Sequence, residues 1–194
     1  MKREVTVDPG TTYYAAAYWF HDVLQKVEFY EEGVHNVEPR LSGGFQLGLG
    51  VAKFGAERVV VECPQIRDAQ HQKGDQRDIR DLALAAGALG LGSTCAKMIA
   101  HSFGVNLSGT EGSWFTPVQY LEPREWKGTV AKPVMCRRIW DHMTEEERNV
   151  FRRAFPERSI DAALKNAKNA AADGLDAVGI GFFLRGRLKT RRTR

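Results

Sequence analysis

Four acids in this chain stand where acids are uncommon, each at the end or the beginning of a core element. Val5 and Val7 alternate with Thr6 up to Asp8, and Pro9-Gly10 stops the run at once, so Asp8 ends a strand and projects into a cleft. Val59-Val60-Val61 is the β-branched run of a strand buried on both faces, and it closes on Glu62 ahead of Cys63-Pro64. Asp173-Gly174-Leu175-Asp176 opens the apolar run Ala177 to Leu184 and reads as a helix start, with its two carboxylates three apart on one face. Singly, each has a plain explanation: an Asx-Pro turn for Asp8, complementation of the helix dipole for Asp173 or Asp176. A glutamate ending a buried strand, by contrast, needs water, a cation or a metal beside it. Four carboxylates brought together would repel one another strongly without a cation, and carboxylates are the ligands Mg²⁺ accepts.

The elements that must position these acids follow the chain in order. Tyr13 to Phe20 is an aromatic, alanine-rich strand returning from the turn, and Val27 to Tyr30 a third strand. Leu41 to Phe54 is a glycine-weakened helix leading into the Glu62 strand. Gln65 to Asp81 is almost wholly polar, with Arg67, Lys73 and Arg77 in it, and reads as a solvated loop and helix start. Ile79 to Phe103 is a long helix dense in small residues, including Ala83, Ala85, Ala86, Gly87, Ala88, Gly90 and Gly92. Each glycine weakens a helix by about 0.8–1 kcal/mol relative to alanine, so a second helix, from this chain or a partner, must approach closely there. Val118 to Leu121 is a short strand, and Pro133 starts a helix through Met143. Thr144 to Glu147 is a capping box, and Ser159 is an N-cap for the helix after it.

A length of 194 residues suits one domain with a sizeable core. No apolar run reaches membrane-spanning length and the N-terminus has no signal-peptide core, which predicts a soluble protein of the cytoplasm with no membrane partner. Cys63, Cys95 and Cys136 are isolated thiols that fit a reducing compartment and neither a disulfide framework nor a zinc knuckle. The five histidines show no ligand spacing. Arg124 to Arg138 holds five bases, among them Lys127, Lys132 and Arg137, against one acid. Residues 185–194 hold six bases and no acid, and without them the formal charge falls from +4 to −2. Such concentrated charge suits a polyanion such as nucleic acid.

A strand ending in DPGTT, a strand ending in VVVEC, a helix of small residues, a basic EWKGTVAKP segment and a final DGLDAVGIGFFL together resemble the RuvC family of Holliday-junction resolvases, within the RNase H-like superfamily. The resemblance covers most of the chain. It implies an α/β fold in which a mixed β-sheet is flanked by α-helices in a single domain, over residues 1–184, followed by a basic tail, 185–194. It also implies a homodimer, branched DNA as partner, and Asp8, Glu62, Asp173 and Asp176 as catalytic residues holding Mg²⁺, two ions per site, with Mn²⁺ able to substitute. Lys127 and Lys132 match basic positions that in such proteins face the scissile strand. One departure is that Pro64-Gln65-Ile66-Arg67 carries none of the aromatic residues that often follow the glutamate and wedge into the junction centre, so the resemblance does not carry a base-sequence preference over to this chain.

The chemistry stands without the family. Phosphodiester hydrolysis needs a water made nucleophilic at neutral pH and compensation for charge on the leaving 3′-oxygen, and two hard cations about 3.5–4 Å apart supply both. Asp8 would bridge them, Glu62 and the Asp173/Asp176 pair would complete the two sites, and Lys127 or Lys132 would meet the phosphate. Arg137, Arg67, Lys73 and Arg77 are the further candidates for DNA contact. Two alternatives stay open: another RNase H-like nuclease of hybrid-nuclease or transposase type, and a non-catalytic junction-binding protein. An ATP-binding site of actin type also uses a strand ending in Asp-x-Gly-Thr-Thr, but needs two such lobes, for which this chain is too short.

Overall fold

A computed structural model of the chain describes residues 2–9, 13–31, 39–63, 76–102, 116–165 and 169–188. Its strands are β1 (Arg3–Pro9), β2 (Tyr13–Phe20), β3 (Val23–Glu31), β4 (Arg58–Glu62) and β5 (Val118–Leu121). The helices are α1 (Pro39–Phe54), α2 (Gln76–Ser102), α3 (Pro123–Trp126), α4 (Lys132–His142), α5 (Glu145–Ala154), α6 (Glu157–Leu164) and α7 (Ala170–Leu184). The strands form one sheet in the order β3-β2-β1-β4-β5. β1, β2 and β3 pair antiparallel as a meander, whereas β4 joins β1, and β5 joins β4, in parallel. This is the expected RNase H-like architecture, a mixed sheet flanked by α-helices in a single domain.

Strand periodicity sorts the side chains into two cores. Val5, Val7, Val59 and Val61 pack with Leu47 and Val51 of α1 and Leu89 of α2 on one face. Val60, Ala15, Ala17 and Trp19 pack on the other face with α4, α5, α6 and α7. The residues of β1 that alternate with its valines, Glu4, Thr6 and Asp8, therefore point to the α7 side. Eleven of the fifteen residues of α7 are buried, so it is an interior helix rather than an amphipathic cover. A Cβ at Gly181 would lie 2.3 Å from the Trp19 ring, which is why α7 can lie so close to β2.

The small residues of α2 have two uses. A Cβ at Gly92 would meet the Phe45 carbonyl at 2.4 Å, and one at Gly48 would meet the Leu89 carbonyl at 2.4 Å, so the approach they permit is between α1 and α2 of the same chain. Among the described residues, nothing lies within 4 Å of a Cβ built at Gly87 or Gly90.

Several boundaries differ from the sequence reading. β3 begins at Val23, because a two-residue turn, with His21 at φ 53, brings it straight back along β2. Ser159 is not an N-cap. The extended Phe155 (φ −129, ψ 132) precedes Pro156, which is itself the cap residue, and α6 starts directly after it at Glu157. The helix carrying the two C-terminal acids starts at Ala170 rather than Asp173. Asn169 caps it, its Oδ1 accepting from the Ala172 amide at 2.9 Å. The Thr144 capping box forms as expected, with the Glu147 amide donating to Thr144 Oγ1 at 3.3 Å and the Thr144 amide to Glu147 Oε2 at 2.9 Å.

The beginning of the basic tail is docked. Arg185 lies over the Trp19 ring and donates to Glu4 Oε1 at 3.0 Å, while Arg187 donates to Glu147 at 2.5 and 2.8 Å. Leu188 is buried. Residues 189–194 lie outside the described residues. Among the described residues no helix is long and apolar enough to cross a membrane.

Candidate metal centre

Parallel pairing of β1 with β4 sets Val7 beside Val61, so the residues that follow, Asp8 and Glu62, leave the sheet side by side on its α7 face. Thr6 Oγ1 donates to the Ala177 carbonyl at 2.7 Å and accepts from Trp19 Nε1 at 3.0 Å, which fastens β1 to α7 one residue past Asp176. Asp173 and Asp176 share a face of α7, and Lys132, at the start of α4, touches both. Its Nζ is 2.7 Å from Asp173 Oδ1 and 3.2 Å from Asp176 Oδ2. Lys127 is shared in the same way by Glu62 Oε1 (2.9 Å) and Asp176 Oδ2 (3.6 Å). The fold thus brings together Asp8, Glu62, Asp173, Asp176, Lys127 and Lys132, from segments far apart in sequence.

Burial and crowding set the electrostatics. Asp8 is 7% exposed and Asp176 1%. Burial, then the charges of Glu62, Asp176 and Asp173, push the Asp8 carboxyl well above the usual carboxylate range, against the opposing pull of Lys132. Burial also raises Glu62, and Asp176 adds to the rise; Lys127 and the indole of Trp126 oppose it. Burial works against charge on Lys127 and Lys132 as well, yet the acids around them hold both ammonium groups above the ordinary lysine value. Beneath the cluster, burial foremost and then Asp176 push the Cys136 thiol up to about 12, so it stays a neutral packing group.

Among the described residues, no group of three or more His, Cys, Asp and Glu side chains is arranged, as it stands, to hold a metal ion. The ammonium groups of Lys127 and Lys132 sit between the acids instead. The donor set nevertheless fits a hard cation. Asp176 Oδ1 is buried and has no hydrogen-bond partner among the described residues, which is costly for a carboxylate oxygen unless something binds it, and Asp8 is crowded by three like charges. Solved structures that the chain resembles include T. thermophilus RuvC in complex with Holliday junction substrate (16% identity, TM-score 0.45, covering 97% of this chain and 99% of that one) and Thermus thermophilus RuvC (17% identity, TM-score 0.38, covering 96% and 98%). Both are RuvC. No family model and no curated protein matches the chain.

Of the remaining basic candidates, Arg137 does not join this centre. Arg137 is exposed on α4, and its Nη2 is directed to the Leu164 carbonyl at 3.4 Å, at the end of α6. Arg67 and Lys73 lie outside the described residues. Arg77 falls in the first turn of α2, and its side chain is outside what is described. Sequence reasoning missed Trp126, whose Nε1 donates to Glu62 Oε2 at 2.8 Å. Its signal was there: a tryptophan directly before Lys127, in a segment otherwise read only for its bases.

Proposed function

We propose that this chain is a structure-selective endonuclease that cleaves four-way DNA junctions by symmetric, divalent-metal-dependent phosphodiester hydrolysis. The observation that carries the reading is the gathering of Asp8, Glu62, Asp173 and Asp176 at one place with two lysines, the buried Asp176 Oδ1 having no hydrogen-bond partner among the described residues. The four acids, Asp8 among them, would hold Mg²⁺. Two bound ions would supply a nucleophilic water at neutral pH and compensation for charge on the leaving 3′-oxygen. Lys127 and Lys132 serve as exchangeable counterions, free to turn to the scissile phosphate once the carboxylates are otherwise neutralised. The junction as substrate rests on the order of motifs along the chain. Incubating the protein with a labelled four-way junction, a linear duplex and an RNA–DNA hybrid, with and without Mg²⁺, tests it: paired symmetric cuts in the junction alone, only with metal, are expected. Preferential cutting of the hybrid would move the chain to another branch of RNase H-like nucleases.

A homodimer accompanies this reading. Leu91, Met98 and Ile99 on α2 are 59%, 55% and 57% exposed, and among the described residues nothing packs on Gly87 or Gly90 beside them, so this face suits a second copy of the chain. Light scattering at micromolar concentration is expected to give twice the chain mass, and Leu91→Glu together with Ile99→Glu to halve it. A monomeric parent protein would end this part of the proposal.

The tail beyond Leu188 is proposed as a phosphate-binding arm. Deleting residues 189–194 removes four positive charges and spares the docked Arg185 and Arg187. The slope of log affinity against log salt should shrink by about 0.9 per lost phosphate contact, with cutting at saturating protein retained. An unchanged slope would show the arm to be bystander charge.

A further inference from the structure

We infer that Trp126 is the positioning residue of the metal centre, holding the Glu62 carboxylate at a fixed place relative to the acids of α7; this rests on the metal-dependent reading above. The indole is fully buried, so its N–H requires an acceptor, and the acceptor it has is Glu62 Oε2 at 2.8 Å. Lys127, the next residue, reaches the same carboxylate through Oε1 at 2.9 Å and Oε2 at 3.2 Å. The two donors differ in kind. The lysine is a flexible ammonium shared with Asp176, which a cation can displace, whereas the indole is a neutral donor locked by packing and stays in place whatever binds.

The wall that locks it is α7 itself. A Cβ at Gly179 would stand 2.7 Å from Trp126 Cζ3 and 2.5 Å from Ile139 Cδ1, so the bare glycine opens the slot in which the ring lies. Gly179 is one helical turn beyond Asp176. One rigid ring therefore touches the helix bearing Asp173 and Asp176 on one side and holds Glu62 of β4 on the other, so the separation of the two halves of the centre is set by the indole. With Oε2 occupied by the N–H, Oε1 is the oxygen left to a cation once Lys127 withdraws. Partners of this type that orient a ligating carboxylate are typically worth 10–100-fold in metal affinity.

Calorimetric titration with Mn²⁺ in the absence of DNA tests the assignment. Trp126→Phe keeps most of the apolar volume and removes the N–H, and is expected to weaken Mn²⁺ binding about tenfold or more. Ile139→Val, which opens a cavity in the same wall but leaves the N–H, is expected to bind Mn²⁺ as the parent does. Cleavage by Trp126→Phe should recover as Mn²⁺ is raised, which loss of folded protein alone would not produce. A second measurement needs no variant. The four tryptophans give four indole N–H resonances, and saturation with Mg²⁺ should shift one of them strongly. Parent-like Mn²⁺ affinity in Trp126→Phe, or four indole signals unmoved by saturating Mg²⁺, overturns the inference while leaving the metal centre standing. A parent protein that binds no Mn²⁺ overturns both.

Discussion

Asp8→Asn, Glu62→Gln and Asp176→Asn are each expected to lower Mg²⁺-dependent cleavage of a four-way junction by about a thousandfold or more, with junction binding retained or tightened. The size follows from losing several kcal/mol of metal-borne charge stabilisation in the transition state, each 1.36 kcal/mol being tenfold in rate. Binding survives because the change removes negative charge from a surface that must receive a polyanion. Asp173→Asn belongs with them. Its alternative role as a helix cap is taken by Asn169, and its carboxylate instead meets Lys132 at 2.7 Å. Single-turnover cleavage beside gel-shift binding without metal separates the two quantities, and undiminished cutting by the Asp8 variant would sink the assignment of the centre.

The same substitution at Asp8 is expected to stabilise the metal-free protein. An acid whose pKa is higher in the folded state than in the unfolded chain binds protons on folding, so stability is greatest below its unfolded value, near pH 4, and is lost as pH rises through the folded value. Asp8 and Glu62 are both raised, and thus both work against the metal-free fold at neutral pH. The raised lysines act in the alkaline range and leave this window alone. With a chelator at pH 7.5, Asp8→Asn should melt several degrees above the parent, each kcal/mol being about 2–4 °C at this length. Its melting temperature should also vary less between pH 4 and pH 8. Mg²⁺ should narrow the gap by stabilising the parent. A variant that melts at or below the parent in chelator would show that Asp8 is not strained by its neighbours.

The sheet was readable because its information is local. The valines of β1 and β4 alternate or run as buried strands do, and the acids that close them fall beside each other once the two strands pair in parallel. The start of α7 was harder to place. Asp173 is the first charge of the segment, although the capping amide of Asn169 and three alanines lie just before it. Trp126 could not be found by periodicity, since α3 is only four residues long and its meaning lies in a contact with Glu62, sixty-four positions away. The docking of Arg185 and Arg187 was hidden likewise. A run of bases looks the same whether solvated or seated on Glu4 and Glu147.

The link from Thr6 to Ala177 spans 171 positions, and it has a consequence for how the protein is born. Strands β1 to β4 emerge early from the ribosome, but the face carrying Asp8 and Glu62 lacks the helix packed on β1 and β2 until α7 has been synthesised. Contacts this distant in sequence form late, and the helix that buries Trp19 is the one that delivers Asp173 and Asp176. A nascent or prematurely ended chain lacking α7 thus holds only half of its acids and a sheet without that helix. The four-acid cluster and the completed core therefore arrive in one step, and no folded intermediate carries half of the centre.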